Sequence, residues 1–269
     1  GDVGRCLARA SYMPEEGEHG LTFRGIFGVV AGKYFQKYGD QSDALAHIAA
    51  KNHKNGSVNP LAHMQKDFGF DFCRAESDKN PIVAGPLKRT DCSMISDGAA
   101  AIILTDEETA QGHDKAIAFR ARTQANDFLP MSKRDVTAFD GPKTAWARGL
   151  EEAGVELNDL SLVETHDCFT IAELIQYEAM GLAAPGKGAD VLADGTVYKD
   201  GKLPVNPSGG LKAKGHPVGA TGVSMHVMAA RQLMNEADEM QVKDAKLAGI
   251  FNMGGAAVAN YLSILERVK

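Results

Sequence analysis

NPSGGLKAKGHPVGATG, residues 206–222, decides how the rest of the chain is read. It sets one histidine, His216, among five glycines and two prolines, and an apolar run follows it. Glycine opens backbone shapes closed to other residues, and proline fixes φ while removing a donor. The stretch therefore predicts a loop without regular helix or strand. Such a loop can hold an imidazole and several backbone N–H groups in a set geometry. It serves either packing or chemistry, and the surrounding sequence has to say which.

Working outward, TGVSMHVMAARQLMNEA from Thr221 reads as a helix apolar on most faces, central and buried. Before the loop, LSLVETHDCF is a strand running into a turn and TIAELIQYEAMGL a helix. Further upstream, KAIAFRARTQAN is a strand candidate, and GPKTAWARGLEEAG starts near Pro142 and stops around Gly154 as a helix does. After the loop, KLAGIFNMGGAAVANYLSILE gives two strands around a glycine turn. Strand and helix alternate, which predicts an α/β class with a layered sheet. Residues 1–80 have another texture. Ile26–Tyr38 is a helical stripe ending at Gly39, and Ser42 is expected to cap a second helix that ends near Gly56. This part reads as a mostly helical module, with the lysines and arginines from Lys51 to Arg89 forming a solvated face. Ala99–Leu104, AAAIIL, suits a buried strand.

The bulk properties narrow the function. A chain of 269 residues with net charge −6 and pI near 5.8 is a poor bulk partner for nucleic acid. No apolar run spans a bilayer, and no signal peptide is evident at the start. The cysteines, Cys6, Cys73, Cys92 and Cys168, form no CxxC pair and read as free thiols of a cytoplasmic protein. The opening GDVGRCLARASYMPEEGEHGLTFRG reads like the middle of a longer chain.

Three loops after strands carry candidate chemistry. ETHDCFTIAEL brings His166 within two positions of Cys168, the second loop holds His216, and FNMGGAA places Asn252 before Gly254 and Gly255. Strand ends beside helix N-termini are where α/β proteins assemble sites. An imidazole near a thiol can move a proton, and glycine N–H groups can hold an oxyanion. Read from the residues alone, His216 and Cys168 also fit a structural loop histidine and an inert buried thiol, and Asp167 a cap or a hydrogen-bonding support. His47, His53, His63, His113 and His226, like His19, read as packing or surface residues.

NPSGGLKAKGHPVGATG resembles the GHP loop of the thiolase superfamily. HDCF at 166–169 resembles the loop of sterol-carrier-protein-2-type thiolases, and CSMISDGAAAIIL at 92–104 the pantetheine-contacting segment. Residues 26–60, IFGVVAGKYFQKYGDQSDALAHIAAKNHKNGSVNP, are similar to the family's loop domain. The resemblance implies a layered αβαβα thiolase fold with an incomplete N-terminal half. It divides the chain into a loop domain at 1–85, a remainder of the N-terminal domain at 86–114 and a C-terminal domain at 115–269. It implies coenzyme A thioester chemistry without a resident cofactor: thiolysis of a 3-ketoacyl-CoA or Claisen condensation of acyl-CoAs. His216 would activate the acyl-accepting cysteine and, with His166, hold the thioester oxygen. Cys168 would be the acid/base, Gly254 an oxyanion N–H, and Ser93 a pantetheine contact. The last-loop cysteine of other thiolases falls at Asn252, or at Phe251 if the register slips by one. No segment matches the family's nucleophilic cysteine, and Cys6 lacks its motif. The expectation is that this sequence is a fragment or that a separate partner chain supplies that portion, that this chain alone is inactive, and that the intact protein is a homodimer or homotetramer. A non-catalytic or aldolase-type relative, or an acyl-CoA- or lipid-binding module, is the alternative.

Overall fold

The computed structural model describes residues 6–18 and 21–269; the start of the opening segment and His19 lie outside them. Helix α1 (Phe23–Tyr38) is capped by Thr22, whose Oγ1 accepts the Gly25 N–H at 3.1 Å, and it stops at Gly39 with φ 85°. Helix α2 (Ser42–Ser57) contains Ser42 as its first residue. The expected cap role passes to the chain before it, where the Asp40 carboxylate accepts both the N–H and the O–H of Ser42. A short helix α3 (Gly69–Arg74) and the hairpin of β1 (Ile82–Ala84) and β2 (Leu87–Lys88) complete this part.

The sheet begins after the short α4 (Glu107–Gln111), with β3 (Ile117–Asn126). Helix α5 (Asp140–Ala153), β4 (Leu162–Thr165), α6 (Thr170–Ala179), α7 (Asp190–Ala193), α8 (Gly210–Ala213), α9 (Thr221–Leu233), β5 (Leu247–Gly254) and β6 (Ala259–Arg267) follow. The strand order is β3-β6-β5-β4, parallel between β4 and β5 and antiparallel elsewhere. Every strand of this sheet matches a predicted one. The glycine-rich stretch of 206–222 departs slightly from its expectation, because residues 210–213 wind into one helical turn.

Successive strand residues face opposite sides, so β5 sorts its neighbours. Gly249 and Phe251 face α5: Trp146 stacks near Phe251 at a ring separation of 6.2 Å. A methyl group on Gly249 would come within 2.8 Å of the indole, so only glycine lets that helix approach so closely. On β6, Leu262 lies against Gly149 of α5, while the next residue, Ser263, bonds His226 of α9. One face of the sheet thus carries α5 and the other α9, giving an α/β/α layering. Helix α9 buries Met225, Met228, Ala229 and Leu233 and leaves Val223, His226 and Val227 half-buried, so it is less enclosed than its apolar pattern predicts.

Two expectations fail. Ala99–Leu104 forms no strand, and Ile102, Ile103 and Leu104 are 40%, 97% and 70% exposed. A strand exists only by pairing, and among the described residues no strand runs beside this segment. The cations of 51–89 are not a uniformly solvated face either. Lys51 is 2% exposed and Lys88 5%, the first paired with Glu173 at 2.9 Å and the second with Asp91 at 3.3 Å. The signal for Lys51 and Asn52 lay in their spacing, since Asn52 continues the buried stripe Ala44, Leu45, Ile48 at helical intervals. Among the described residues no helix is long and apolar enough to cross a membrane.

Candidate functional site

Strand β4 ends at Thr165, and the chain turns through His166, Asp167 and Cys168 before α6 begins. That turn is rigid because its middle residue is clamped. The Asp167 carboxylate accepts the N–H of Leu211 at 2.6 Å and of Lys212 at 3.2 Å, donors that have no intrahelical partner at the start of α8. Gly210 sits at φ 59°, and a Cβ there would lie 2.3 Å from the same carboxylate, so a glycine is required for the contact. Burial first, and then the neighbouring Glu173, push the Asp167 carboxyl up to about 7. Every group bonded to it is nevertheless a donor, which favours the carboxylate.

The clamp brings the two histidine loops together. The rings of His166 and His216 meet edge to face with centroids 5.0 Å apart. His166 Nδ1 lies 2.6 Å from Asn252 Oδ1, and His216 Nδ1 lies 2.7 Å from Thr221 Oγ1. Thr221 spends its own hydrogen on the Pro217 carbonyl, at 3.0 Å, so it accepts from His216. A carboxamide oxygen likewise only accepts. Both rings therefore carry their proton on Nδ1 and offer the lone pair of Nε2. Burial, outweighing the Asn252 bond, holds His166 near 4; burial, the adjacent His166 and Lys214 hold His216 near 3. Both are neutral bases at ordinary pH. The backbone N–H of His216 donates to Ser96 Oγ at 2.7 Å, which pins the loop from the other side.

Replacing Thr221 with valine is expected to free the His216 tautomer at nearly constant shape. Side-chain 15N NMR of His216 should show a single Nδ1–H tautomer in the parent chain and a mixture in the valine variant, with serine restoring the parent pattern. An unchanged spectrum would remove Thr221 from its assigned role.

Cys168 lies two residues beyond His166, 1% exposed and in the core with Phe169. Burial, then the adjacent Asp167, pushes its thiol well above the ordinary range, so the sulfur keeps its proton. Ser93 is at the same place through its backbone: its N–H donates to the Cys168 carbonyl at 2.9 Å, and Cys92 pairs with Phe169. Asn252, not Phe251, faces the imidazoles, because Phe251 is fully buried on the α5 side. Gly254 is two positions farther along the same face of β5, about 6–7 Å by strand geometry. The structure thus joins His166 with His216 directly and sets Cys168, Ser93 and Gly254 on the connecting segments. Thr221 and Ser96 were missed by the sequence reading; Thr221 could have been found, since it stands five residues after His216 at the start of a helix. Among the described residues no three His, Cys, Asp or Glu side chains gather as a metal site.

A family profile described as thiolase C-terminal domain-like matches residues 123–267, more than half of the chain and all of β4 to β6. The chain belongs to the thiolase family. This thiolase chain is 35% identical to an acetyl-CoA acetyltransferase of Methanothermobacter thermautotrophicus, over 99% of its own length and 69% of that protein's. It is 37% identical to sterol carrier protein 2 of Homo sapiens over 87% of the chain, but spans only 43% of that protein. Against the benzoylsuccinyl-CoA thiolase subunit BbsB of Thauera aromatica the identity is 31%, over 88% of the chain and 61% of the relative. Among solved structures, the Ltp2-ChsH2(DUF35) aldolase superposes with a TM-score of 0.82 at 20% identity, covering 94% of this chain and 66% of that one. A monomeric SCP2-thiolase-like protein type 1 of Mycobacterium smegmatis gives 0.70 at 18% identity, covering 91% and 52%. At such identities the likeness establishes the fold, and the thiolase chain spans roughly half to two thirds of most of these proteins.

Proposed function

We propose that this thiolase chain carries the base, oxyanion and proton-donor parts of a CoA-dependent acyltransferase, cleaving a 3-ketoacyl-CoA by thiolysis or joining acyl-CoAs. The observation that carries the reading is the edge-to-face pair of neutral imidazoles, each tethered at Nδ1 by an uncharged side chain. An acyl-accepting thiol would give its proton to His216 Nε2 as its sulfur attacks the substrate carbonyl. The same nitrogen then becomes an N–H donor, placed to hold the oxygen that gains charge. His166 is the second nitrogen at that oxygen; a half-turn of the Asn252 amide would exchange its Nε2 from acceptor to donor.

Cleavage of a 3-ketoacyl-CoA between its α- and β-carbons leaves an enolate that must take a proton. Cys168, kept as the thiol by burial, is the donor that fits this step. Condensation needs the reverse transfer and starts from a less favourable protonation state. The Gly254 N–H is assigned to the second oxyanion position, and Ser93 to the pantetheine arm. No resident cofactor enters this scheme, since coenzyme A arrives as the substrate's own thioester.

The nucleophile is assigned to a portion outside this sequence, in a longer chain or a partner. BbsB is named as a subunit and the aldolase by two components, which supports a partner; homo-oligomers and a cytoplasmic setting belong to the same proposal. The test pairs acetoacetyl-CoA binding with thiolysis on the protein that includes the nucleophile. Cleavage with formation of an acyl-enzyme is the expected result. Binding without cleavage would overturn the transferase reading, and retro-aldol cleavage of a 3-hydroxyacyl-CoA would replace it with the aldolase one.

A further inference from the structure

We propose that Asn52, backed by Lys51, is a positioning residue for the paired imidazoles; the inference rests on the acyl-transfer reading above. Asn52 lies on α2, outside both histidine loops, yet its single amide group joins two buried carboxylates. Its Nδ2 donates to Asp167 Oδ2 at 2.8 Å and to Glu173 Oε2 at 2.6 Å. Its Oδ1 accepts from Lys51 Nζ at 2.6 Å, which fixes the direction of the amide. The Lys51 ammonium uses its other hydrogens on the Val205 carbonyl at 2.6 Å and on Glu173 Oε1 at 2.9 Å. Lys51 is 2% exposed, and Asn52, Asp167 and Glu173 are fully buried.

Two bridges leave this hub, and each ends at a histidine loop. Through Asp167 it reaches the backbone of Leu211 and Lys212, a few residues before His216, and Asp167 itself adjoins His166. Through Glu173 it reaches Asn206 Nδ2 at 2.9 Å, while Asn206 Oδ1 accepts the Thr165 N–H at 2.8 Å, one residue before His166. Asn206 occupies φ 55°, a conformation its side-chain bonds hold in place. The beginning of the glycine-rich loop and the end of β4 are thus tied to one amide on the helical module. Without that amide two carboxylates would face each other with fewer donors between them, and the loops would lose their common support. Satisfied buried networks of this kind select one arrangement where apolar packing accepts several.

The experiment uses the protein that includes the acyl-accepting cysteine. Asn52→Leu keeps the shape and removes both donors. It is expected to lower kcat for thiolysis about 10–100-fold, as for a lost supporting bond at a site, with KM for acetoacetyl-CoA within about twofold of the parent. A second variant, Lys51→Met with Asn52→Leu and Glu173→Leu, replaces the hub by apolar packing. It should recover the melting temperature and leave kcat depressed. Recovery of kcat together with stability would overturn the proposal, since packing alone would then suffice. Side-chain 15N NMR supplies a readout independent of turnover. The His166 and His216 resonances should both move in Asn52→Leu, while those of His47 and His226 stay. Movement of both rings in a protein without thiolysis would overturn the function and keep the positioning role. Normal thiolysis in the parent with unmoved rings in the variant would do the opposite.

Discussion

Exchange of His216 for alanine is expected to lower acylation of the nucleophilic thiol about 10²–10⁴-fold, the usual contribution of a positioned general base. The expectation follows from the ring's situation. Thr221 fixes its tautomer and burial keeps it unprotonated, so Nε2 is permanently available to accept. The measurement is labelling of the protein by radioactive acetyl-CoA under single-turnover conditions, alongside binding of a non-hydrolysable CoA analogue. Labelling should collapse while analogue binding persists. Parent-like labelling in the variant would mean that some other group takes the thiol proton.

The second large effect is loss of stability in acid. His53, His166 and His216 are held near 3, 4 and 3, in each case first by burial, against an unfolded value of 6.5. Below pH 6.5 the unfolded chain therefore binds protons at these sites that the folded chain does not. Stability falls as pH drops from about 6.5 to 4, each histidine contributing about a tenfold change in the folding equilibrium per pH unit. Asp167, raised to about 7 in the folded state, works the other way and offsets one proton in that window; Glu164, raised by burial, adds to the offset. The histidines outnumber them. Urea midpoints between pH 7.5 and 4.5 should fall, and His53→Phe should flatten the slope by about one proton. His53 is the informative choice because it belongs to neither histidine loop, packs edge-on against Phe68 and leaves Nδ1 unpaired in the interior. A slope that His53→Phe leaves unchanged would contradict its assignment as a buried neutral ring.

What the sequence disclosed follows from the range over which each signal acts. The strands and the longer helices after residue 115 were legible because their hydrophobic periods, glycine stops and caps are local, whereas the short turns at 190–193 and 210–213 were not. The meeting of the His166 and His216 rings was inferable from strand ends beside helix starts, and the thiolase resemblance sharpened it. Lys51 was misread and Asn52 passed over, because a lysine on a helix is ordinarily solvated, and Glu173, the partner of Lys51, and Asp167, the partner of Asn52, lie more than a hundred residues away. Ala99–Leu104 was misread for the opposite reason. Its local pattern is that of a strand, but pairing is a property of two segments, and the described residues supply only one.

That unpaired segment has a practical consequence for anyone handling the polypeptide by itself. Ile103 and Leu104 stand 97% and 70% in solvent, on a segment that joins no ladder among the described residues. An exposed, apolar, charge-free stretch of this kind recruits its like, and a modest negative charge on the whole molecule is a weak deterrent. Sizing runs on the isolated polypeptide will report the stickiness of residues 99–104 before they report any assembly built by evolution.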